Sequence, residues 1–263
     1  MTRIARVFAE QPKVLVAYIT AGDPAPERTP ALMTALERGG ANLIELGVPF
    51  SDPVADGPVI MRAGGRALRA GTTVPKVLDI AREIRRTSEI PLVLFTYLNP
   101  VIRYGLERLA SDAKAAGIDG CLLIDASVEE AGSYVEAMRA AGLDTIFLAA
   151  PTSTGKRLEL VAQYSSGFVY LVSRTGVTGE QNSISSAVKP LVAAVRAVTR
   201  LPLAVGFGVS RPEHAAEIGA VADGVVVGSA IMRLVEQHAA SPDLESKLES
   251  FIRSLKEGLC RRA

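Results

Sequence analysis

Three carboxylates gather within one short stretch of the sequence, IELGVPFSDPVADGPVI at 44–60. Glu45 lies inside the apolar run that opens the stretch, and Asp52 and Asp56 follow in the Pro- and Gly-rich segment behind it. Carboxyl groups placed together in this way are typical of general acid and base chemistry. The stretch is therefore the first candidate for an active site.

Glu45 lies within a run that has the character of a strand. Side chains alternate between the two faces of a strand, so Glu45 shares a face with Leu43 and Gly47, while Ile44 and Leu46 share the other. If helices cover the apolar face, Glu45 points to the interior, with Gly47 leaving space above it. Burial among apolar walls should raise its pKa towards the range of a general acid and base. The alternative is a structural acid paired with a basic side chain of a neighbouring strand.

Asp52 and Asp56 lie in Asp-Pro and Asp-Gly contexts, which are also ordinary turn chemistry. Their spacing does not choose between them. A mobile loop could bring either carboxylate over a ligand bound near Glu45.

Glycines form a second candidate site. GFGVS at 206–210 and VVVGSA at 225–230 each end a predicted strand, and Gly228 and Ser229 open a helix. Gly179 lies in GVTG after an earlier strand. Close approach of backbone N–H groups and a helix N-terminus are suited to a phosphate. The pattern predicts a phosphorylated small molecule as ligand, although Gly-Ser is also an ordinary helix cap.

Eight short aliphatic or β-branched runs supply the framework for these residues. They lie at 14–20, 41–47, 91–96, 119–124, 144–148, 167–172, 202–206 and 223–227. Segments with helical periodicity alternate with them, several closed by a Gly. Eight such units predict a (β/α)8 barrel in one domain, 1–263, with a doubly wound sheet as the weaker alternative. Functional groups should then lie at the carboxyl ends of the strands.

Two connections are longer than the others, at 47–91 and 172–202. The first has room for an extra helix, and the second contains the polar run SRTGVTGEQNSISS. Long loops inside compact domains commonly form binding loops or lids. We expect both to border the active site.

Composition excludes several classes of protein. A net charge of +1, with 48% hydrophobic and 22% charged residues, gives no excess of positive charge for binding nucleic acid or anionic lipid. No apolar run suits a membrane span, and the N-terminus does not resemble a signal peptide. Cys121 and Cys260 are expected to be reduced, which favours a cytoplasmic protein.

The sequence also lacks features of cofactor chemistry. No lysine falls near the end of a predicted strand, which argues against a Schiff base. His214 and His238 lie in predicted helices, no cluster has metal-ligand spacing, and no dinucleotide motif follows the first strand. We therefore expect proton chemistry by carboxylates, with no cofactor and no metal. A triose-phosphate isomerase-like reaction is less favoured, because no His accompanies the Glu.

Seven motifs occur along the chain in the order AYITAGDP, ELGVPFSDPVADGP, PLVLFTYLNPV, VEEAG, GFVYLVSRTGVTG, GFGVSRPEHA and DGVVVGSAI. Together they resemble the alpha-subunit family of tryptophan synthase over essentially the whole sequence. The resemblance implies cofactor-free, retro-aldol cleavage of indole-3-glycerol phosphate to indole and glyceraldehyde 3-phosphate. It also implies a pyridoxal-phosphate beta subunit as partner, in an alpha2beta2 heterotetramer that receives the indole.

The family motifs imply a role for each candidate residue. Glu45 would be the acid and base near indole C3 and the glycerol hydroxyl, and Asp56 rather than Asp52 would accept from the indole N–H. Thr178 would close the loop after the sixth predicted strand over the loop after the second. The remaining residues would hold the phosphate or line the indole pocket: Gly179, Gly208, Gly228 and Ser229 for the phosphate, and Tyr18, Tyr170 and Phe207 for the indole.

The chain departs from the family pattern at three places. Met61 and Ser183 stand where the family usually has Gln and Arg, and Ser127 lies in a changed D-L/V-P-x-E-E segment. Met61 and Ser183 flank the two closing loops. Two alternatives therefore stay open beside the synthase subunit: a stand-alone lyase that releases free indole, and a catalytically silent barrel that activates the beta subunit.

Overall fold

The structure is a computed structural model that describes residues 1–172, 187–206 and 208–261. In these ranges nine parallel strands form one sheet with the order β5-β4-β3-β2-β1-β9-β8-β7-β6. The strands are β1 Val14–Thr20, β2 Leu43–Gly47, β3 Leu92–Thr96, β4 Gly120–Leu123, β5 Asp144–Ile146, β6 Leu148–Ala149, β7 Val169–Val172, β8 Leu203–Gly206 and β9 Gly224–Val227.

The predicted fifth strand, 144–148, is divided into β5 and β6 by Phe147. β5 pairs with β4, whereas β6 pairs with β7, and the Phe147 carbonyl accepts from the Tyr170 N–H at 3.0 Å. The two ends of the sheet are thus joined through the chain itself, which closes the barrel. The prediction of eight βα units is confirmed, with this one strand changing partner along its length.

Twelve α-helices lie between and after the strands of the described ranges. They are α1 Arg3–Glu10, α2 Thr29–Gly39, α3 Pro58–Arg69, α4 Val74–Ile84, α5 Leu98–Tyr104, α6 Leu106–Ala115, α7 Gly132–Ala140, α8 Gly155–Tyr164, α9 Val188–Arg196, α10 Pro212–Gly219, α11 Ser229–His238 and α12 Leu244–Cys260. Short 3₁₀ turns occur at Pro26–Arg28 and Val128–Glu130. The long connection at 47–91 contains both α3 and α4, so the extra helix is confirmed.

Sequence chemistry explains where these elements begin and end. β1 to β4 consist of fully buried residues, as expected for parallel strands covered on both faces. Gly40 ends α2 in the left-handed conformation with φ of 105°, and Gly142 follows α7 with φ of 69°. No helix in the described ranges is both long and apolar enough to cross a membrane.

A partly buried ion pair stabilises the amino end of the barrel, opposite the carboxyl ends of the strands. Arg85, directly after α4, donates to Asp119 at 3.0 Å, and Asp119 immediately precedes β4. Arg85 also donates to the carbonyl oxygens of Ser88, Ile90 and Gly117. These contacts indicate that the amino end of the barrel serves stability.

Candidate active site

Glu45 occupies the middle of β2, where it lies between Tyr18 of β1 and Val93 of β3 in the sheet. Its side chain interacts electrostatically with Tyr18 and also with Tyr170 of β7, a strand that is not a neighbour of β2. Glu45 can reach both tyrosines only across the barrel interior. The inward orientation predicted from strand alternation is therefore the observed one.

The Glu45 carboxyl is buried without compensation. It is 1% exposed, and neither oxygen has a hydrogen-bond partner among the described residues. Burial raises the pKa of Glu45 from 4.5 to about 8. No ion pair with a neighbouring strand occurs in the described part of the chain, so the structural alternative receives no support there. At neutral pH the group is protonated and able to donate.

Asp56 lies on the loop between β2 and α3 and is also buried. Burial raises the pKa of Asp56 from 3.8 to about 6, and a hydrogen bond from the Tyr97 hydroxyl partly offsets that rise. Burial raises the pKa of Tyr18 well above its ordinary value, and the charges of Asp56 and Glu45 raise it further. Both carboxyls therefore act on one ring at the barrel mouth. Asp52, in contrast, is exposed and accepts from the Ser51 hydroxyl at 2.6 Å.

Tyr97 is a further site residue, which was not among the candidates from sequence. It follows β3 directly, accepts from the Ala55 N–H at 3.2 Å and contacts Phe50 with a ring-centroid distance of 5.3 Å. The Tyr97 hydroxyl thus holds the Asp56 turn by two hydrogen bonds, one with the Ala55 backbone and one with the Asp56 carboxylate. Its signal was a polar aromatic residue at the end of a barrel strand, in TYLNP.

Two tyrosines line the interior, each over a glycine of the neighbouring strand. A Cβ atom at Gly47 would lie 2.3 Å from the Tyr18 hydroxyl, and one at Gly206 would lie 2.3 Å from the Tyr170 hydroxyl. The space that Gly47 was expected to leave is therefore occupied by Tyr18. Tyr18 also contacts Phe95 edge-on at 5.2 Å. The glycines allow both rings to extend towards Glu45.

The predicted phosphate residues lie on the neighbouring connections after β8 and β9. Gly208 follows β8 with φ of 94°, and Gly228 caps the N-terminus of α11. Ser229 is the first residue of that helix and is partly exposed. A Cβ at Gly228 would lie 3.4 Å from the Cβ of Tyr18, so this connection borders the tyrosine that faces Glu45.

Four residues of the sequence analysis lie outside the described residues, namely Thr178, Gly179, Ser183 and Phe207. The other two departures are visible. Met61 is half-exposed on α3, and the Ser127 hydroxyl donates to Glu129 beside a short 3₁₀ turn. Within the described ranges, no group of three or more His, Cys, Asp or Glu side chains could hold a metal ion.

Comparison with known proteins gives one consistent family. The family model described as tryptophan synthase alpha chain matches residues 4–259. The chain is 68% identical to the tryptophan synthase alpha chain of Solibacter usitatus over 100% of both chains, and 49% identical to that of Geobacter sulfurreducens over 98% of this chain and 99% of that one.

Solved structures agree. A tryptophan synthase structure from Mycobacterium tuberculosis has a TM-score of 0.91 at 38% identity, covering 99% of each chain. The tryptophan synthase subunit alpha from Legionella pneumophila has a TM-score of 0.88 at 37% identity, covering 98% of each chain. The chain therefore belongs to the tryptophan synthase alpha chain family, the lyases that act on indole-3-glycerol phosphate.

Proposed function

We propose that Glu45 and Asp56 together cleave indole-3-glycerol phosphate into indole and glyceraldehyde 3-phosphate. The observation that carries this proposal is the Glu45 carboxyl, which is buried in the barrel interior without a hydrogen-bond partner among the described residues. An orphaned buried carboxyl costs stability, and such groups concentrate at functional sites.

Glu45 supplies the two proton transfers of the cleavage. Because burial raises its pKa to about 8, it begins protonated and donates a proton to C3 of the indole ring. The resulting carboxylate then removes the proton of the glycerol hydroxyl next to the bond that breaks. The electrons of that O–H bond form the aldehyde carbonyl, those of the broken C–C bond return to the ring, and Glu45 recovers its proton.

Asp56 stabilises the positive charge that appears on the ring nitrogen after C3 is protonated. Its pKa of about 6 leaves it ionised at neutral pH, and its carboxylate accepts a hydrogen bond from the indole N–H. The Tyr97 hydroxyl orients that carboxylate. An anion placed in advance near developing positive charge favours the transition state over the ground state.

The phosphate of the substrate would bind where Gly208, Gly228 and Ser229 border the N-terminus of α11, together with Gly179. Backbone N–H groups and the helix dipole favour a dianion at such a position. The indole ring would lie between Tyr18 and Tyr170, with Phe207 completing the pocket and Thr178 closing it. No cofactor takes part in these steps.

We propose that the indole passes to a beta subunit in an alpha2beta2 heterotetramer. A similar structure from Pyrococcus furiosus is described as the tryptophan synthase a2b2 complex. Val54 and Ile102 are 76% and 66% exposed, and Leu98 lies one helical turn before Ile102 on α5. Tyr97 ties α5 to the loop of Val54 and Asp56, so an exposed apolar surface adjoins the catalytic loop. Such surfaces are suited to a protein partner.

The chain would work in the cytoplasm. Cys121 and Cys260 are both free, and Cys260 is exposed. An exposed free thiol fits a reducing compartment.

One assay tests the function and its alternatives. Indole release from indole-3-glycerol phosphate is measured for the chain alone and with a tryptophan synthase beta subunit. Low turnover that the beta subunit raises supports the proposal, whereas high turnover independent of it indicates a stand-alone lyase. Absence of turnover under both conditions would leave only the silent activating partner.

The partner surface has its own matched pair of variants. Ile102→Glu places a charge on the exposed apolar surface and should weaken activation by the beta subunit by about tenfold or more. Thr87→Glu adds the same charge to an exposed position between α4 and β3, on the opposite face, and should leave activation unchanged. Equal effects of the two variants would refute the assigned surface.

A further inference from the structure

Four charged residues form a network at the carboxyl end of the barrel, apart from Glu45 and Asp56. Arg66 donates through Nε and Nη2 to the two oxygens of Asp23, at 2.7 and 2.9 Å. Its Nη1 donates to Glu236 at 2.6 Å. Arg62, one turn earlier on α3, donates to both oxygens of Glu236 at 2.7 and 2.8 Å. All three hydrogen-bonding nitrogens of Arg66 are thereby engaged.

The network joins three separate connections of the barrel. Asp23 lies in the turn after β1, Arg66 lies on α3, and Glu236 lies on α11. α3 begins at Pro58, two residues after Asp56, and α11 begins at Ser229, where the phosphate is proposed to bind. Arg66 therefore links α3, the helix that follows Asp56, to α11, the helix at whose start the phosphate is proposed to bind.

The Asp23 turn is buried and closely packed where it holds this guanidinium. Asp23 is 0% exposed, and the Gly22 N–H donates to the Thr29 hydroxyl at 3.0 Å. Gly22 has φ of 87°, and a Cβ there would lie 1.9 Å from the Thr72 hydroxyl oxygen, so the turn packs directly against the segment between α3 and α4. A charged group in such a place needs its partner, because an uncompensated buried charge is strongly destabilising.

The separation of α3 from α11 has chemical consequences. One substrate must place its phosphate at the start of α11 while its indole N–H reaches Asp56. From Asp56 to Arg66 the chain is almost entirely one helix, spanning ~15 Å at ~1.5 Å per residue, so a shift of α3 is carried to the aspartate. A misplacement of about 1 Å at a reacting group can reduce the rate by about a hundredfold.

We propose that Arg66 is a positioning residue, which sets the distance from Asp56 to the phosphate-binding end of α11 by bridging Asp23 and Glu236. This inference rests on the proposed function, because it takes Asp56 and α11 as the two ends of the substrate site. Arg66 acts through Asp56 and does not itself touch the reacting atoms.

A double-mutant cycle on the full chain tests this role. Arg66→Met should lower kcat for indole release by about ten- to a hundredfold, with KM changed by less than about threefold. In an Asp56→Asn background the same substitution should cost less than about threefold, because the group that it positions is already lost. Losses that multiply fully in the double variant would overturn the inference.

Two further variants separate positioning from general destabilisation. Arg85→Met removes the partly buried arginine that pairs with Asp119 at the amino end of the barrel, and it should lower Tm while leaving kcat unchanged. If Arg66→Met does not fold, Glu236→Gln replaces it in the cycle, since it keeps the Asp23 pair and weakens only the link to α11. A normal kcat in Glu236→Gln would then overturn the inference.

The cycle also separates this inference from the function on which it rests. If Asp56→Asn alone has near-normal turnover, the proposed role of Asp56 is wrong. If Asp56→Asn is impaired as expected and the Arg66 loss persists in its background, only the positioning role is wrong.

Discussion

Replacing Glu45 by Gln should abolish catalysis and, at neutral and alkaline pH, stabilise the protein. The amide keeps the shape of the side chain but has no proton to exchange and no charge to bury. Since the two Glu45 oxygens have no hydrogen-bond partner among the described residues, the substitution sacrifices no such bond there. Activity and stability should thus change in opposite directions.

The size of the stability change follows from the pKa of Glu45, which burial raises from 4.5 to about 8. The folded state binds this proton more tightly than the unfolded state. Stability is therefore greatest below pH 4.5, where Glu45 is protonated in both states. It falls as the pH rises from about 4.5 to about 8 and is then constant. At about 1.4 kcal/mol for each pH unit between the two pKa values, the wild type should lose about 3 kcal/mol by pH 7 and about 5 kcal/mol by pH 9.

Urea titrations at pH 4.5, 7 and 9, followed by far-UV circular dichroism, measure this difference. The chain contains no Trp, so intrinsic tryptophan fluorescence is not an available probe. Glu45→Gln should exceed the wild type by about 3 kcal/mol at pH 7 and about 5 kcal/mol at pH 9, and should approach it at pH 4.5. Indole release by the variant should be absent throughout.

Glu83→Gln serves as the matched control, because Glu83 is an exposed glutamate on α4. Its stability should differ from that of the wild type by less than about 0.5 kcal/mol at each pH. If the stability advantage of Glu45→Gln does not grow with pH, the claim that the Glu45 carboxyl is buried without a compensating partner is wrong. A variant that retains turnover would refute its role in proton transfer.

Three other predictions concern the same site. Asp56→Asn should lower kcat by about a hundredfold or more, because the ring-nitrogen charge loses its anion, whereas Asp52→Asn should remain near wild type; indole-release assays compare the two. The pH profile of kcat/KM should be bell-shaped, with limbs near 6 and near 8, because Asp56 must be ionised and Glu45 protonated; a single-limbed profile would contradict this assignment. Gly206→Ala should lower kcat/KM by at least about tenfold, because its Cβ would lie 2.3 Å from the Tyr170 hydroxyl and displace that ring; unchanged kinetics would show that the ring is not held there.

The sequence determined the framework and the orientation of Glu45. Alternation along LIELG placed the carboxyl on the face opposite Ile44 and Leu46, and a strand leaves only two choices of face. The alternation of strands and helices along the sequence placed the candidate glycines after β8 and at the start of α11, as observed. These features depend on local periodicity, which neighbouring residues encode.

The tertiary structure alone decided how those groups are held. The Tyr97 hydrogen bond to Asp56 and the Arg66 bridge from Asp23 to Glu236 join residues that are far apart along the chain. The division of the fifth strand at Phe147 also depends on two different strand partners. No local pattern carries such information, because burial and partner choice arise only when the barrel closes and brings its βα connections together.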